Sequence, residues 1–357
     1  MTDPVALAHA AQVLVQTALR ARAGEHVVIV EDAGSVAIGD AVAAAVEACG
    51  GWVKRARLDR IATAAGAARP HKVIPDLLLL ALRDAECSVF LAGAMPAEWP
   101  MRQALLHVVG QRGLRHAHMP GLSEAAFVAG LRLDHAHVDR LGRRVLGRVQ
   151  GARRILTESA AGTSLRIELA PEGKWLAQLG VLEPGRWGNL PGGALYASPT
   201  DVSGVFVADA SVGEFFGARE GILQANPVRL VVEAGRVVDV EARSPDLGRD
   251  IRAMMAVAPN SARVGLVAVG VNIGICSPIG DAVVDQNVPG LHIGIGDPAS
   301  RTTGAGWSAP TCFAACQATS HVWVDGEPII AGGRVVIASR PAMSAIARLD
   351  SPPPQGA

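Results

Sequence analysis

Residues 183–199 read EPGRWGNLPGGALYASP, and the texture of the chain turns on this stretch. Its last part, GALYASP, is strand-like and belongs to a series of similar runs. TSLRIELA precedes it, and SGVFVAD, PVRLVVEAGRVVDVEA and HVWVDGEPIIAGGRVV follow, with glycine turns at 233–235 and 325–326. One helix, LGRDIRAMMAVA, interrupts the strands. Residues 151–345 therefore read as a mostly β domain of α+β type.

Upstream, the pattern alternates. VALAHAAQVLVQTAL reads as a helix, and HVVIVED is a continuous β-branched run of the kind that buried parallel strands carry. IGDAVAAAVEACGG is a helix closed by paired glycines. WVKRARL, CSVFLAG and LRHAHMPG are further strands, separated by the helices IPDLLLLALRDA and RQALLHVVGQRG. This alternation predicts a three-layer α/β domain with a mainly parallel sheet over residues 1–150. The tail 346–357, ending SPPPQGA, is Pro-rich and expected to be disordered.

Composition excludes several function classes. Basic and acidic residues balance at 33 each, so no global field favours nucleic acid or an anionic membrane. Aromatics make up 4% and Tyr196 is the sole tyrosine, too few for a base-stacking platform. Five cysteines without a CxxC fit a reduced compartment. The N-terminus MTDPVALAHAAQ lacks the basic and apolar regions of a signal peptide, and VIPDLLLLAL is too short to span a bilayer. The expectation is a soluble cytoplasmic protein with no nucleic-acid or membrane partner.

Two His-x-His triplets, His116–Ala–His118 and His135–Ala–His137, could each present imidazoles to a metal from one strand face. No Cys or carboxylate stands at diagnostic spacing, so they read as exposed or capping histidines. IGIGDPASRTTGAG lacks the strand–GxGxxG–helix order, and no Walker sequence or GxSxG elbow occurs. Cys312 and Cys316 stand four apart, with His292 upstream and His321 downstream. A thiolate activated by an imidazole would be a nucleophile, whereas the bland alternative is a pair of small buried side chains.

The GRW…P-x-G-x-L pattern at 185–195, with DVSGVFVAD, VGLVAVGVN, VPGLHIGIGD and the terminal HVWVDG run, resembles the aminopeptidase T family of metallopeptidases and the related 2,5-dihydroxypyridine 5,6-dioxygenases. The resemblance implies a two-metal peptidase or a ring-cleaving dioxygenase on an aminopeptidase T-like fold. It also implies a homodimer. The positions where it places metal ligands here read Ala194, Leu266, His292 and Cys312–Phe313–Ala314. One imidazole cannot hold zinc or iron, which take about three protein ligands. No metal and no cofactor are therefore expected.

The resemblance further implies an apolar inter-domain cleft walled by Trp187, Tyr196, His292, Trp307, Cys312 and His321, able to take a peptide or a small heteroaromatic ligand. Three readings stay open. The first is a metal-independent binding protein that presents its ligand to a partner enzyme, as in a biosynthetic pathway. The second is a metal-free hydrolase, cyclase or isomerase, with Cys312 as nucleophile, His292 as base and an N–H of 294–296 as oxyanion donor. The third is a metalloenzyme whose site is rebuilt from His292 with Cys312, His321 or Asp297.

Overall fold

The computed structural model describes residues 2–64, 73–93, 99–213 and 216–337. The Pro-rich tail lies outside the described residues. The strands form three sheets.

The first is a five-stranded parallel sheet with spatial order Trp52–Arg57, His26–Glu31, Cys87–Phe90, Arg115–His118 and Trp187–Asn189. The interior strand His26–Glu31 shows why the HVVIVE run is unbroken. Val27 and Ile29 pack into one core with the helices Pro4–Gln12, Val36–Ala48 and Glu124–Gly130. Val28 and Val30 pack into another with Asp76–Leu82 and Trp99–Arg112. Both faces are covered, so alternation disappears from the sequence.

The remaining strands build a sandwich of two antiparallel sheets. One has eight strands, running from Arg236–Ala242 at one edge to Arg334–Val335 at the other. The other has six, in the order Ser211–Val212, Cys312–Cys316, Gly290–Gly296, Val264–Gly270, Ala194–Ala197 and Leu176–Gln178. A single core joins them: Ile155, Ile167, Phe206, Leu230 and Val322 from the larger sheet meet Leu195, Val267, Val269, Leu291, Ile293 and Phe313 from the smaller. This is face-to-face packing of inward residues from both sheets. The helix Pro245–Met255, capped by the Ser244 hydroxyl on Leu247 N–H, seals one side.

The two halves are interleaved near residue 187. The chain leaves the β half to add Trp187–Asn189 in parallel beside Arg115–His118, then re-enters the six-stranded sheet at Ala194. The helix His135–Val149 likewise sends Val145 and Val149 into the sandwich core. No helix among the described residues is long and apolar enough to cross a membrane.

Candidate functional site

The six-stranded sheet has one face in the sandwich core. Its other face carries Ala194, Leu266, His292, Cys312 and Ala314, while Phe313 points into the core. Residues directly opposite in an antiparallel ladder share a face, and three rows follow. Ala194 stands opposite Gly270, which faces Gly290. Tyr196 stands opposite Ala268, which faces His292. Leu266 stands opposite Gly294, which faces Ala314, and Cys312 lies beyond, opposite Gly296. The face is thus built from Ala, Gly, Leu, one phenol and one imidazole. Ala194, Tyr196 and Ala268 are buried together, with Leu176 and Leu266 partly buried against them.

His292 is fully buried and both its ring nitrogens are used. Nε2 lies 2.9 Å from the Val288 carbonyl and so carries the proton, and Nδ1 accepts from Gln317 N–H at 3.3 Å. The backbone partners therefore assign the tautomer. Burial lowers its pKa to about 4, against the pull of the Val288 carbonyl. An imidazole with no spare lone pair can neither ligate an ion nor take a proton from a neighbour.

The structure does not bring Cys312 and His292 together. Cys312 is opposite Gly296, four residues along the strand from His292, or roughly 13 Å at the usual rise. Cys312 is exposed, rather than packed with Phe313 and Val322 in the core, whereas Cys316 is buried. His321 belongs to the eight-stranded sheet, where its ring stacks on Trp323 with centroids 5.8 Å apart. Trp307 lies under the Arg263 guanidinium at 4.2 Å. Asp297 accepts from the Ala299 and Ala309 N–H groups. Among the described residues, no three His, Cys, Asp or Glu side chains converge. The donor set does not fit a divalent ion.

The loop before Ala194 is held by polar clamps. Asn272 Nδ2 donates to the Gly192 carbonyl at 2.8 Å and to that of Gly130 at 3.2 Å, and Asn287 Nδ2 donates to Pro191 O at 3.2 Å. His135 Nε2 accepts from Gly192 N–H at 3.3 Å. Gly193 has φ near 129°, and a Cβ there would fall 2.5 Å from the Asn272 Cβ. The PGG motif thus has a backbone reason to persist without a metal ligand after it.

The reading of the His-x-His triplets needs correction. His137 is exposed, but His116, His118 and His135 are buried. His135 is the clamp on Gly192. His116 and His118 share the face of the parallel sheet that lies under the helix Trp99–Arg112, opposite Ser88 and Phe90. The i, i+2 spacing held the signal for a shared face. What sequence could not show was a helix covering that face.

Of the residues expected to line the cleft, Trp187 borders an open space. It is 42% exposed and walls a cavity of about 550 Å³ with Gln103, Leu106, His107 and Arg301. The last four were not anticipated. Arg301 follows the strand Gly290–Gly296, so the cavity lies between the α/β and β halves.

Solved structures share the fold, two of them over most of the chain. 2,5-Dihydroxypyridine dioxygenase from Pseudomonas putida KT2440 superposes with a TM-score of 0.64 at 15% identity, over 95% of this chain and 99% of that one. Wild-type AmpT from Thermus thermophilus gives 0.63 at 17% identity, over 93% and 99%. The chain has the aminopeptidase T-like fold. No protein-family model matches it, and no curated protein matches it in sequence. Within that fold, this chain's inner sheet face is apolar where metal ligands were expected from the resemblance.

Proposed function

We propose that this protein is a metal-independent member of the aminopeptidase T-like fold that binds a small molecule or a peptide side chain between its two halves. The observation that carries the reading is the saturation of His292. The one imidazole left at the expected positions spends both nitrogens on backbone groups, with Ala194, Leu266 and Ala314 on the same sheet face.

An apolar shelf with a single phenol is suited to holding an apolar ring. The Tyr196 hydroxyl is kept protonated by burial, so it serves as a neutral hydrogen-bonding group. Trp187 walls a separate cavity with Gln103, Leu106, His107 and Arg301.

The test is metal content of untagged full-length protein by elemental analysis after dialysis without chelator, alongside calorimetric titration with zinc and ferrous iron. The expected result is no stoichiometric metal and no binding tighter than about 10 μM. Near-stoichiometric zinc or iron would sink the reading and require His292 to have exchanged a backbone partner for the ion.

A further inference from the structure

A second cavity, of about 540 Å³, opens at the edge of the parallel sheet, within the size range of small-molecule sites. Glu31, Arg55 and Arg57, at the ends of the strands His26–Glu31 and Trp52–Arg57, line it. It therefore lies at the carboxyl ends of two parallel strands, the side on which open α/β sheets bind their ligands. Arg60 and Ile61 reach it from the helix Leu58–Ala64, Leu77 and Ala81 from the helix Asp76–Leu82, and Val36 from the start of Val36–Ala48. None of these residues belongs to the six-stranded sheet or to the Trp187 cavity.

Of the acids, only Glu31 lines the cavity, and Arg55 occupies both its oxygens, at 2.8 and 2.7 Å. Gly39 leaves the room for this pair, since a Cβ there would collide with Glu31 Oε2. Asp40, the other carboxylate on Arg55, is 61% exposed and lies outside the lining, where water and salt screen it. Arg57 donates through Nε and Nη2 to Asp59, at 3.0 and 2.7 Å, which fixes its plane and leaves Nη1 without a partner among the described residues. Arg60 is exposed and makes no hydrogen bond or ion pair among the described residues. The donors left to the cavity are thus Arg57 Nη1 and the whole Arg60 guanidinium. The rest of the wall is aliphatic: Val36, Ile61, Leu77 and Ala81, with no aromatic side chain among the described residues. Leu77 is 61% exposed, which is apolar surface that an occupant would take out of water.

We propose that this cavity binds an aliphatic carboxylate, its head group held by Arg57 Nη1 and Arg60 and its chain laid along Ile61, Leu77 and Ala81. Guanidinium groups match the paired oxygens of a carboxylate, and a chain gains from each methylene it removes from water. With no ring to stack on, the wall favours a flexible chain over a flat ring. The site is separate from the sheet-face reading above and stands or falls without it.

Calorimetric titration of the full-length protein with octanoate, octanamide and butyrate tests this. Octanoate should saturate, octanamide should bind about tenfold more weakly, and butyrate about a hundredfold more weakly at the usual increment per buried methylene. Arg60→Gln and Leu77→Ser, both at exposed positions, should each weaken octanoate about tenfold with the melting temperature unchanged. Trp187→Ala should leave octanoate binding as it was. Octanoate that fails to saturate, octanamide that binds equally well, or affinity unchanged in Arg60→Gln overturns the proposal. A loss of affinity in Trp187→Ala rather than in Arg60→Gln would put the ligand in the other cavity, and overturns it as well.

Discussion

Two buried histidine sites in this molecule look alike by burial and differ in valence. His292, on the six-stranded sheet, has a backbone carbonyl on one nitrogen and a backbone N–H on the other. His118, on the parallel sheet, has one nitrogen bonded to His116 and the other open. Both are held neutral by desolvation. Burial and a lowered pKa therefore do not tell the two sites apart; their hydrogen-bond partners do.

The largest expected effect exploits what the two sites share. His116, His135 and His292 are shifted by burial to about 3, 4 and 4, below an unfolded value near 6.5. Below that unfolded value, the unfolded chain takes up protons that the native state refuses. The stabilising contribution is thus complete above about pH 6.5 and is lost as pH falls toward 4, on the order of 3 kcal/mol per imidazole. Asp285 works in the opposite sense, since burial raises it to about 6. Its neutral form is favoured as pH drops, offsetting about 2 kcal/mol. Urea denaturation at pH 7, 5.5 and 4.5 should show the midpoint falling steeply, and Asp285→Asn should steepen it. A flat profile would mean that the imidazoles are not buried neutral.

Next in size is His292→Ala, which strands the Val288 carbonyl and the Gln317 N–H and leaves a cavity. A loss of about 3 kcal/mol is expected by equilibrium denaturation. His118→Ala removes one 3.3 Å hydrogen bond and should cost less, about 1–2 kcal/mol. Equal costs would erase the distinction between the saturated and the open site.

Ala194→Glu tests the metal face directly. Ala194 is fully buried opposite Gly270 in a cluster with Tyr196, Ala268, Leu176 and Leu266, so an added carboxylate is desolvated there and should destabilise by about 2–3 kcal/mol. Zinc should not restore the loss, because His292 has no lone pair to offer. Rescue by zinc would show that His292 can release its backbone partners. The smallest effect belongs to Cys312→Ser, an exposed strand-end change expected within about 0.5 kcal/mol in stability.

The sequence by itself determined the classes of element and their order. HVVIVE could be read as a strand buried on both sides because an unbroken β-branched run has no solvent face to mark. The glycine turns at 233–235 and 325–326 announced hairpins because those backbones need positive φ, and Ala234, Gly235, Asp325 and Gly326 all have it. The absence of charge at 194, 266 and 314 was equally plain, since a missing carboxylate needs no coordinates to be noticed.

Tertiary structure decided what the histidines do. His116 and His118 were legible as sharing a face, yet whether that face met water or the helix Trp99–Arg112 depends on packing across elements far apart in the chain. The gathering of Gln103, Trp187 and Arg301 around one cavity carries no local signal at all, because no periodicity links residues separated by scores of positions. Whether a nitrogen is satisfied is likewise a property of its neighbours in space: His292 is silenced by a carbonyl four residues away and an N–H twenty-five residues away, and His118 Nε2 is unpaired because the groups packed against it, Phe90 and Trp187 among them, offer it no hydrogen bond.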